Sequence, residues 1–292
     1  MKKTTVITAE WVNKQFLPRE SDSHKGTYGQ LLTVCGSYGM AGAALLCLRG
    51  ALRSGVGLVR AAVPRSVYPL VAAAQPEAVF LPLAETEQGQ FSAAAAEPLM
   101  QAVNAASAVV LGCGLGRGED VDRVIAALLS CRCPLILDAD GINGITPHIL
   151  TGERVSAPRI LTPHPGELAQ LLDIPTDRLQ RHREEIAVRF VRDHNVTLVL
   201  KGHGTLVAAP DRPLLVNATG NPGMATGGSG DVLAGIIGGL VAQGMPPYEA
   251  AACGVYIHGA AGDRAAARLS MHSMLPSDII EELGTLFLQF EK

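Results

Sequence analysis

Residues 217–235 read NATGNPGMATGGSGDVLAG, and the chain runs on as IIGGLVAQGM to residue 245. Six of those nineteen residues are glycine, and one acid, Asp231, stands where the glycines stop. Glycine in bulk weakens a fold, because it loses more backbone freedom on folding than any other residue. Its density here needs a reason. A glycine-rich turn that feeds a helix lets backbone N–H groups converge on an anion, and the helix dipole adds about half a positive charge there. GGSGD (227–231) followed by VLAGIIGGLVA has that form. Asp231 is then a carboxylate at a helix N-terminus. That position is expected to lower its pKa and keep it ionised, which suits a base taking a proton from a hydroxyl beside a phosphoryl group. The same residues also read as a helix cap over a packing turn.

Outward from this stretch, apolar strands alternate with helical segments. QLLTVCGS (30–37) reads as a buried strand, and AGAALLCLRGALRSG (41–55) as a helix closed by Gly55. LVRAAVP (58–64), SAVVLGCGLG (107–116), CPLILDADG (133–141) and RIL in RILTPHPGELAQLL (159–172) read as further strands. DVDRVIAALLS and the segment after TPHP read as helices. VTLVLKGHGTLVAAP (196–210) and PLLVNATG (213–220) read as short strands, antiparallel and at the sheet edge. The pattern predicts an α/β fold with a central, mostly parallel sheet and helices on both faces. Such sheets bind ligands beyond the C-terminal ends of their strands. The glycine-rich and polar segments fall at those ends. No linker or repeat divides residues 1–292, so a single domain is expected, with polar residues 1–25 as a loosely attached lead-in.

The chain has 292 residues, 48% hydrophobic and 17% charged, with a net charge of −3. That is a folded composition without the basic surplus of a nucleic-acid binder. The N-terminus lacks a signal-peptide apolar region, and VLAGIIGGLVA is too short to span a bilayer. No nucleic-acid or membrane partner is expected. The six cysteines sit mostly in apolar runs and form no C-x-x-C pair. Buried thiols and a cytoplasmic location follow.

ATGGSGD resembles the glycine-rich signature of the ribokinase superfamily. The longer string GNPGMATGGSGDVLAGIIGGLVAQG is similar to the ADP-dependent (S)-NAD(P)H-hydrate dehydratase family. Four further segments agree with that family in order: HKGTYGQLLTVCGSYGMAGAALL (24–46), DADGIN (138–143), LTPHPGELAQLL (161–172) and VLKGHGT (199–205). The resemblance covers about residues 24–283. Many members carry an additional N-terminal epimerase domain, for which these 292 residues leave no room.

The resemblance implies a ribokinase-like fold and a site residue by residue. Asp231 is the catalytic base and also touches substrate. The amides of Gly228, Ser229 and Gly230 form an anion hole. KGHGT, that is Lys201, Gly202, His203, Gly204 and Thr205, lies at the AMP part of the nucleotide. Read alone, it is equally an ordinary hairpin with a solvated lysine. TPHPGE places Pro165 at a helix start with Glu167 in its first turn. In the resembling family His164 faces substrate, and Glu167 organises magnesium through water. GCGLGRG (112–118) departs from a dinucleotide fingerprint, because Arg117 takes the last glycine's place. By resemblance Gly114 lies beside the substrate, as does Ala43, where Gly42 and Ala43 let a ligand approach the helix. Asp138 and Asp140 in DADGIN either hold a metal or satisfy backbone amides.

The implied reaction restores NADH or NADPH from its S-hydrate, with ADP as co-substrate, Mg2+ as cofactor, and AMP and phosphate as products. A homo-oligomer, a tetramer in the family, is the implied assembly. The rival readings are an ATP-dependent kinase of a small vitamin-precursor alcohol and a nucleotide sensor without turnover.

Overall fold

The computed structural model describes residues 4–147 and 157–291. The strands are β1 (Thr5–Val6), β2 (Gln30–Val34), β3 (Leu58–Pro64), β4 (Val79–Leu83), β5 (Ala108–Leu111), β6 (Leu135–Leu137), β7 (Arg159–Leu161), β8 (Thr197–Leu200), β9 (Leu206–Ala208) and β10 (Leu215–Val216). The helices are α1 (Ala9–Asn13), α2 (Ala41–Arg53), α3 (Tyr68–Ala74), α4 (Ala96–Val103), α5 (Glu119–Leu129) and α6 (Asp140–Asn143). They continue as α7 (Pro165–Leu171), α8 (Thr176–Arg181), α9 (Arg183–His194), α10 (Ser229–Ala242), α11 (Pro247–Leu269) and α12 (Pro276–Phe287).

One sheet runs in the order β1-β10-β9-β8-β7-β6-β5-β2-β3-β4. Pairing is parallel except where β9 meets β8 and β10. The expected mostly parallel sheet with helices on both faces is therefore present. Side chains alternate across it with the period of two that a pleated strand imposes. Val110, Ile136, Ile160 and Val199 pack into one apolar core. Their neighbours Val109, Leu111, Leu137, Leu161 and Leu198 pack into the other. Burial on both faces explains why these strands read as continuous apolar runs.

Two readings are corrected. The first 25 residues are not uniformly a loose lead-in. The Thr5 amide donates to the Leu214 carbonyl at 2.9 Å, the Ile7 amide donates to the Val216 carbonyl at 3.0 Å, and Val12 is fully buried. The antiparallel segment is also not the sheet margin, because β1 closes that edge outside β10.

α10 is buried along almost its whole length, as a helix apolar on all sides must be. Its later glycines serve packing. A Cβ at Gly235 would overlap the Cys47 carbonyl of α2, and one at Gly238 would overlap Val110 of β5. From the α2 side, a Cβ at Gly50 would come within 2.6 Å of the Val232 carbonyl. The two backbones meet directly, and this contact fixes where α10 begins.

Candidate active site

The C-terminal strand ends converge on the first turn of α10. Gly228 caps the helix with φ +97°, a left-handed backbone that glycine adopts without strain. A side chain there would also strike Leu46 and Pro276. Ser229, Gly230 and Asp231 are the first three helical residues. Their N–H groups lack the carbonyl one turn back that helix interiors provide. The Ser229 amide reaches the Thr226 carbonyl only at 3.4 Å, and among the described residues no carbonyl accepts from Gly230 or Asp231. Of the amides expected to bind an anion, Gly230 thus stands open, joined by Asp231, while Ser229 is partly engaged by Thr226.

Asp231 is half-buried. Its carboxyl is pushed up to about 7, first by burial and then by the neighbouring Asp138 charge, against opposing pulls from the Cys113 thiol and Lys201. This overturns the expectation that the helix terminus would lower it. Desolvation and a like charge outweigh the dipole, whose influence is about 1 kcal/mol. A group that titrates near neutrality is well matched to proton transfer there.

Asp138 was one of two acids left open between metal and backbone roles, and the structure separates them. Asp140 accepts from the Gly116 amide at 2.9 Å and braces the GCGLGRG turn. Asp138 is buried at the site. Its Oδ1 accepts from Thr162 Oγ1 at 2.6 Å and from Lys201 Nζ at 2.8 Å. Lys201 Nζ also lies 3.9 Å from Glu167 Oε2. Burial alone would lower the lysine pKa, but the Asp138 and Glu167 charges outweigh it and raise it. A Cβ on Gly230 would stand 3.3 Å from Lys201 Nζ, so the ammonium lies against the α10 terminus.

KGHGT is thus split. Lys201 points inward to the acids, while Gly202 and His203 are exposed in the β8–β9 turn. Gly202 and Gly204 take φ +131° and +64°. Thr205 Oγ1 donates to the Gly202 carbonyl at 2.9 Å. Arg183, which the sequence reading missed, clamps the turn. Its guanidinium donates to the His203 carbonyl at 2.8 Å and, at 3.4–3.5 Å, to those of Leu200, Lys201 and Gly204.

His164 and Glu167 form a reciprocal cap on α7. The Glu167 amide donates to His164 Nδ1 at 3.1 Å, and the His164 amide donates to Glu167 Oε2 at 2.7 Å. Nδ1 accepts, so the ring proton sits on Nε2. The ring is 57% exposed. Gly114 (φ +65°) lies against α2, where an added Cβ would come within 2.9 Å of Ala43. The two residues expected beside substrate therefore adjoin one another. Ser229 Oγ lies 3.3 Å from Nε2 of buried His258, whose pKa burial lowers to about 4. Asp263 takes hydrogen bonds from the Gly220 amide and the Asn221 side chain at 2.9 and 3.0 Å, tying the glycine-rich loop to α11. His258 and Asp263 lie on a helix the sequence reading did not recognise.

A cavity of about 450 Å³ opens at the opposite, N-terminal ends of the strands, among Thr27, Ser107, Pro134, Pro158 and Met245. None of its lining residues is titratable, whereas Asp138, Glu167, Lys201 and Asp231 gather at the other end.

The family profile described as NAD(P)H-hydrate dehydratase matches residues 31–285. The chain belongs to the NAD(P)H-hydrate dehydratase family. A bifunctional NAD(P)H-hydrate repair enzyme from Moorella thermoacetica is 42% identical over 290 residues, covering 98% of this chain and 54% of the relative. The chain spans about half the length of that relative. A Bacillus subtilis ADP/ATP-dependent NAD(P)H-hydrate dehydratase, co-crystallised with ATP/Mg2+, superposes with a TM-score of 0.86 at 33% identity, covering 99% of both chains. A ribokinase-like superfamily protein from Enterococcus faecalis gives the same TM-score at 26% identity over 99% of this chain and 96% of its own. Membership in the dehydratase family thus comes with the ribokinase-like fold. Among the described residues no helix is long and apolar enough to cross a membrane.

Proposed function

We propose that the chain dehydrates the S-epimer of hydrated NADH or NADPH, driven by ADP and releasing AMP and phosphate. The observation that carries this reading is Asp231, a carboxyl with a pKa of about 7 beside open amides at the α10 terminus. Asp231 accepts the proton of the ring hydroxyl. That oxygen attacks the β-phosphoryl group of ADP, and AMP departs. The new ester then eliminates phosphate, with the ring nitrogen's lone pair assisting. Phosphate leaves readily where hydroxide does not. The amides of Gly230 and Asp231 and the Lys201 ammonium face the charge that develops on the phosphoryl oxygens. The Gly202–Thr205 turn, exposed at Gly202 and His203 and clamped by Arg183, receives the AMP portion. Ala43, Gly114 and the His164 ring edge line the hydrate side.

Mg2+ would neutralise phosphate charge. Direct ligation suits these residues poorly: Asp138 Oδ1 is taken by Lys201 and Thr162, and Glu167 Oε2 by the α7 cap. Glu167, acting through water, fits an ion that keeps much of its hydration and arrives with the nucleotide. A cytoplasmic homotetramer completes the proposal, and sedimentation tests the assembly.

The test is to incubate the purified protein with hydrated NADH, ADP and magnesium and follow the return of reduced-nicotinamide absorbance. Return with ADP well above that with ATP is expected. No return with either nucleotide sinks the reading. Equal or better return with ATP sinks the ADP assignment. ATP consumption that leaves a stable phosphate ester of an added alcohol favours the kinase.

A further inference from the structure

Cys131 and Cys133 lie between α5 and β6, where the chain bends at Arg132 and Cys133. Cys131 is buried and Cys133 is half-buried. The bend brings the thiols together. Cys133 Sγ donates to Cys131 Sγ at 3.9 Å, and Cys131 Sγ lies 3.4 Å from the Cys133 carbonyl oxygen. Arg159, the first residue of β7, is fully buried beside them. Its guanidinium donates to the carbonyls of Leu129 and Cys131 at 2.9 Å and to that of Cys133 at 3.2 Å. Those oxygens satisfy its hydrogens but carry no net charge. Among the described residues its buried Nε has no hydrogen-bond partner. Burial lowers the Arg159 pKa, and the charges that oppose this are those of Cys131 and Cys133. A buried cation is costly without a counter-ion, and here the anion within reach is a thiolate. The Cys133 thiol that donates to it and the Arg159 charge bring Cys131 down to about 7 against burial. The same hydrogen bond, and then burial, raise Cys133. One sulfur is thus held as the anion and its neighbour as the thiol.

We propose that Cys131 and Cys133 form a redox dithiol, in which Cys131 takes an oxygen from a hydroperoxide and Cys133 then closes a disulfide. The Cys131 thiolate attacks the terminal peroxide oxygen. The O–O bond breaks, the departing alkoxide or hydroxide takes up a proton, and Cys131 becomes a sulfenic acid, oxidised by two electrons. The Cys133 sulfur attacks that of Cys131. The S–O bond breaks, and hydroxide leaves with the Cys133 proton as water. Two thiols and one hydroperoxide thus give a disulfide, an alcohol (or water) and water. Closure brings the sulfurs from 3.9 Å to about 2 Å in a bend that belongs to neither α5 nor β6. The oxidant is small, and it approaches from the cavity at the N-terminal strand ends. Pro134 and Pro158, next in the chain to Cys133 and Arg159, line that cavity. No part of this chemistry passes through Asp231.

The experiment uses the full chain, reduced with a phosphine, freed of reductant under argon and treated with hydrogen peroxide. Remaining thiols are alkylated, and tryptic peptides are weighed. Trypsin cuts after Arg132, so Cys131 and Cys133 fall on separate peptides unless a disulfide joins them. A joined pair, two hydrogens lighter than the two free peptides together and released by dithiothreitol, is expected. Cys133→Ser should lose the joined pair and leave Cys131 as a sulfenic acid that dimedone captures. Cys131→Ser should lose both the joined pair and any capture, because Cys133 remains a thiol. Cys131→Ala serves if the serine variant does not fold. The proposal is overturned if the wild-type peptides stay separate, if peroxide carries wild-type Cys131 to a sulfinic acid without a joined pair, or if dimedone captures Cys133 in the Cys131 variants. Hydrate turnover enters none of these readouts, so the dithiol stands or falls apart from the repair reading.

Discussion

Asp231 sits where opposing influences meet: burial and the charges of Asp138 and Cys35 raise its pKa, and Cys113 and Lys201 lower it. The balance near 7 has two consequences. The kcat/KM for hydrate should fall below neutrality with an apparent pKa of about 7, read from a pH–rate profile; a limb near 4 would remove Asp231 as the base. For stability the sign is as follows. A carboxyl raised on folding favours the folded state while protonated, and that contribution is lost as pH rises from about 4 through about 7. Asp231→Asn keeps the side chain's shape in the first turn of α10, where it makes no capping hydrogen bond, and discards the buried charge. It should melt at or above wild type, with the gap widening across that range, while turnover drops by about a hundred- to ten-thousand-fold. Parallel melting curves and turnover assays decide it, and near-normal turnover would leave Asp231 a structural residue. His164 yields to similar logic. Asn preserves the α7 cap, so His164→Asn should hold the melting temperature and raise the KM for hydrate more than that for ADP. Unchanged constants would leave the ring a cap and nothing more.

The β8–β9 turn owes its shape to a helix that precedes it in sequence. Arg183 opens α9 and binds four carbonyls around the turn. Hydrogen bonds from a charged donor contribute about 1.5–3 kcal/mol. Arg183→Gln should therefore raise the KM for ADP by roughly ten- to a hundredfold, with little change in the KM for hydrate, and Arg183→Lys should recover part of the loss. Steady-state kinetics with each substrate varied would show it, and equal shifts in both constants would mean general loosening. Arg183 carries no motif, so nothing in the sequence pointed to it. The inner strands, though not the marginal β1 and β4 with their exposed and half-buried residues, were legible because two-sided burial leaves apolar runs. α11 was not: burial on most of its surface blurs its stripe, and Ala and Gly supply much of it. The glycine-rich entrance to α10 was legible from GGSGD, but the pKa of Asp231 was not. It depends on Asp138 and Cys113, which only the fold brings near.

At the scale of the molecule, one sheet shared by two cores predicts a single unfolding event. Trp11, the only tryptophan, packs against one core from α1. Its fluorescence should change at the same denaturant concentration as far-UV circular dichroism. An earlier fluorescence transition would restore the view of a detachable N-terminal segment. Ile136→Ala and Leu137→Ala address opposite faces of β6. Each should cost about 2–5 kcal/mol and shift that one transition as a whole. The α2–α10 contact also bears on how such a site can diversify. Gly50 and Gly235 leave no room for a side chain at the seam, and Gly228 leaves none at the helix entrance. Evolution, or an engineer seeking a different hydrated substrate, therefore finds the phosphoryl end sterically closed to innovation. Gly42 at the start of α2, where an added Cβ meets nothing within 4 Å, is a position at which new specificity can be written without dismantling the scaffold.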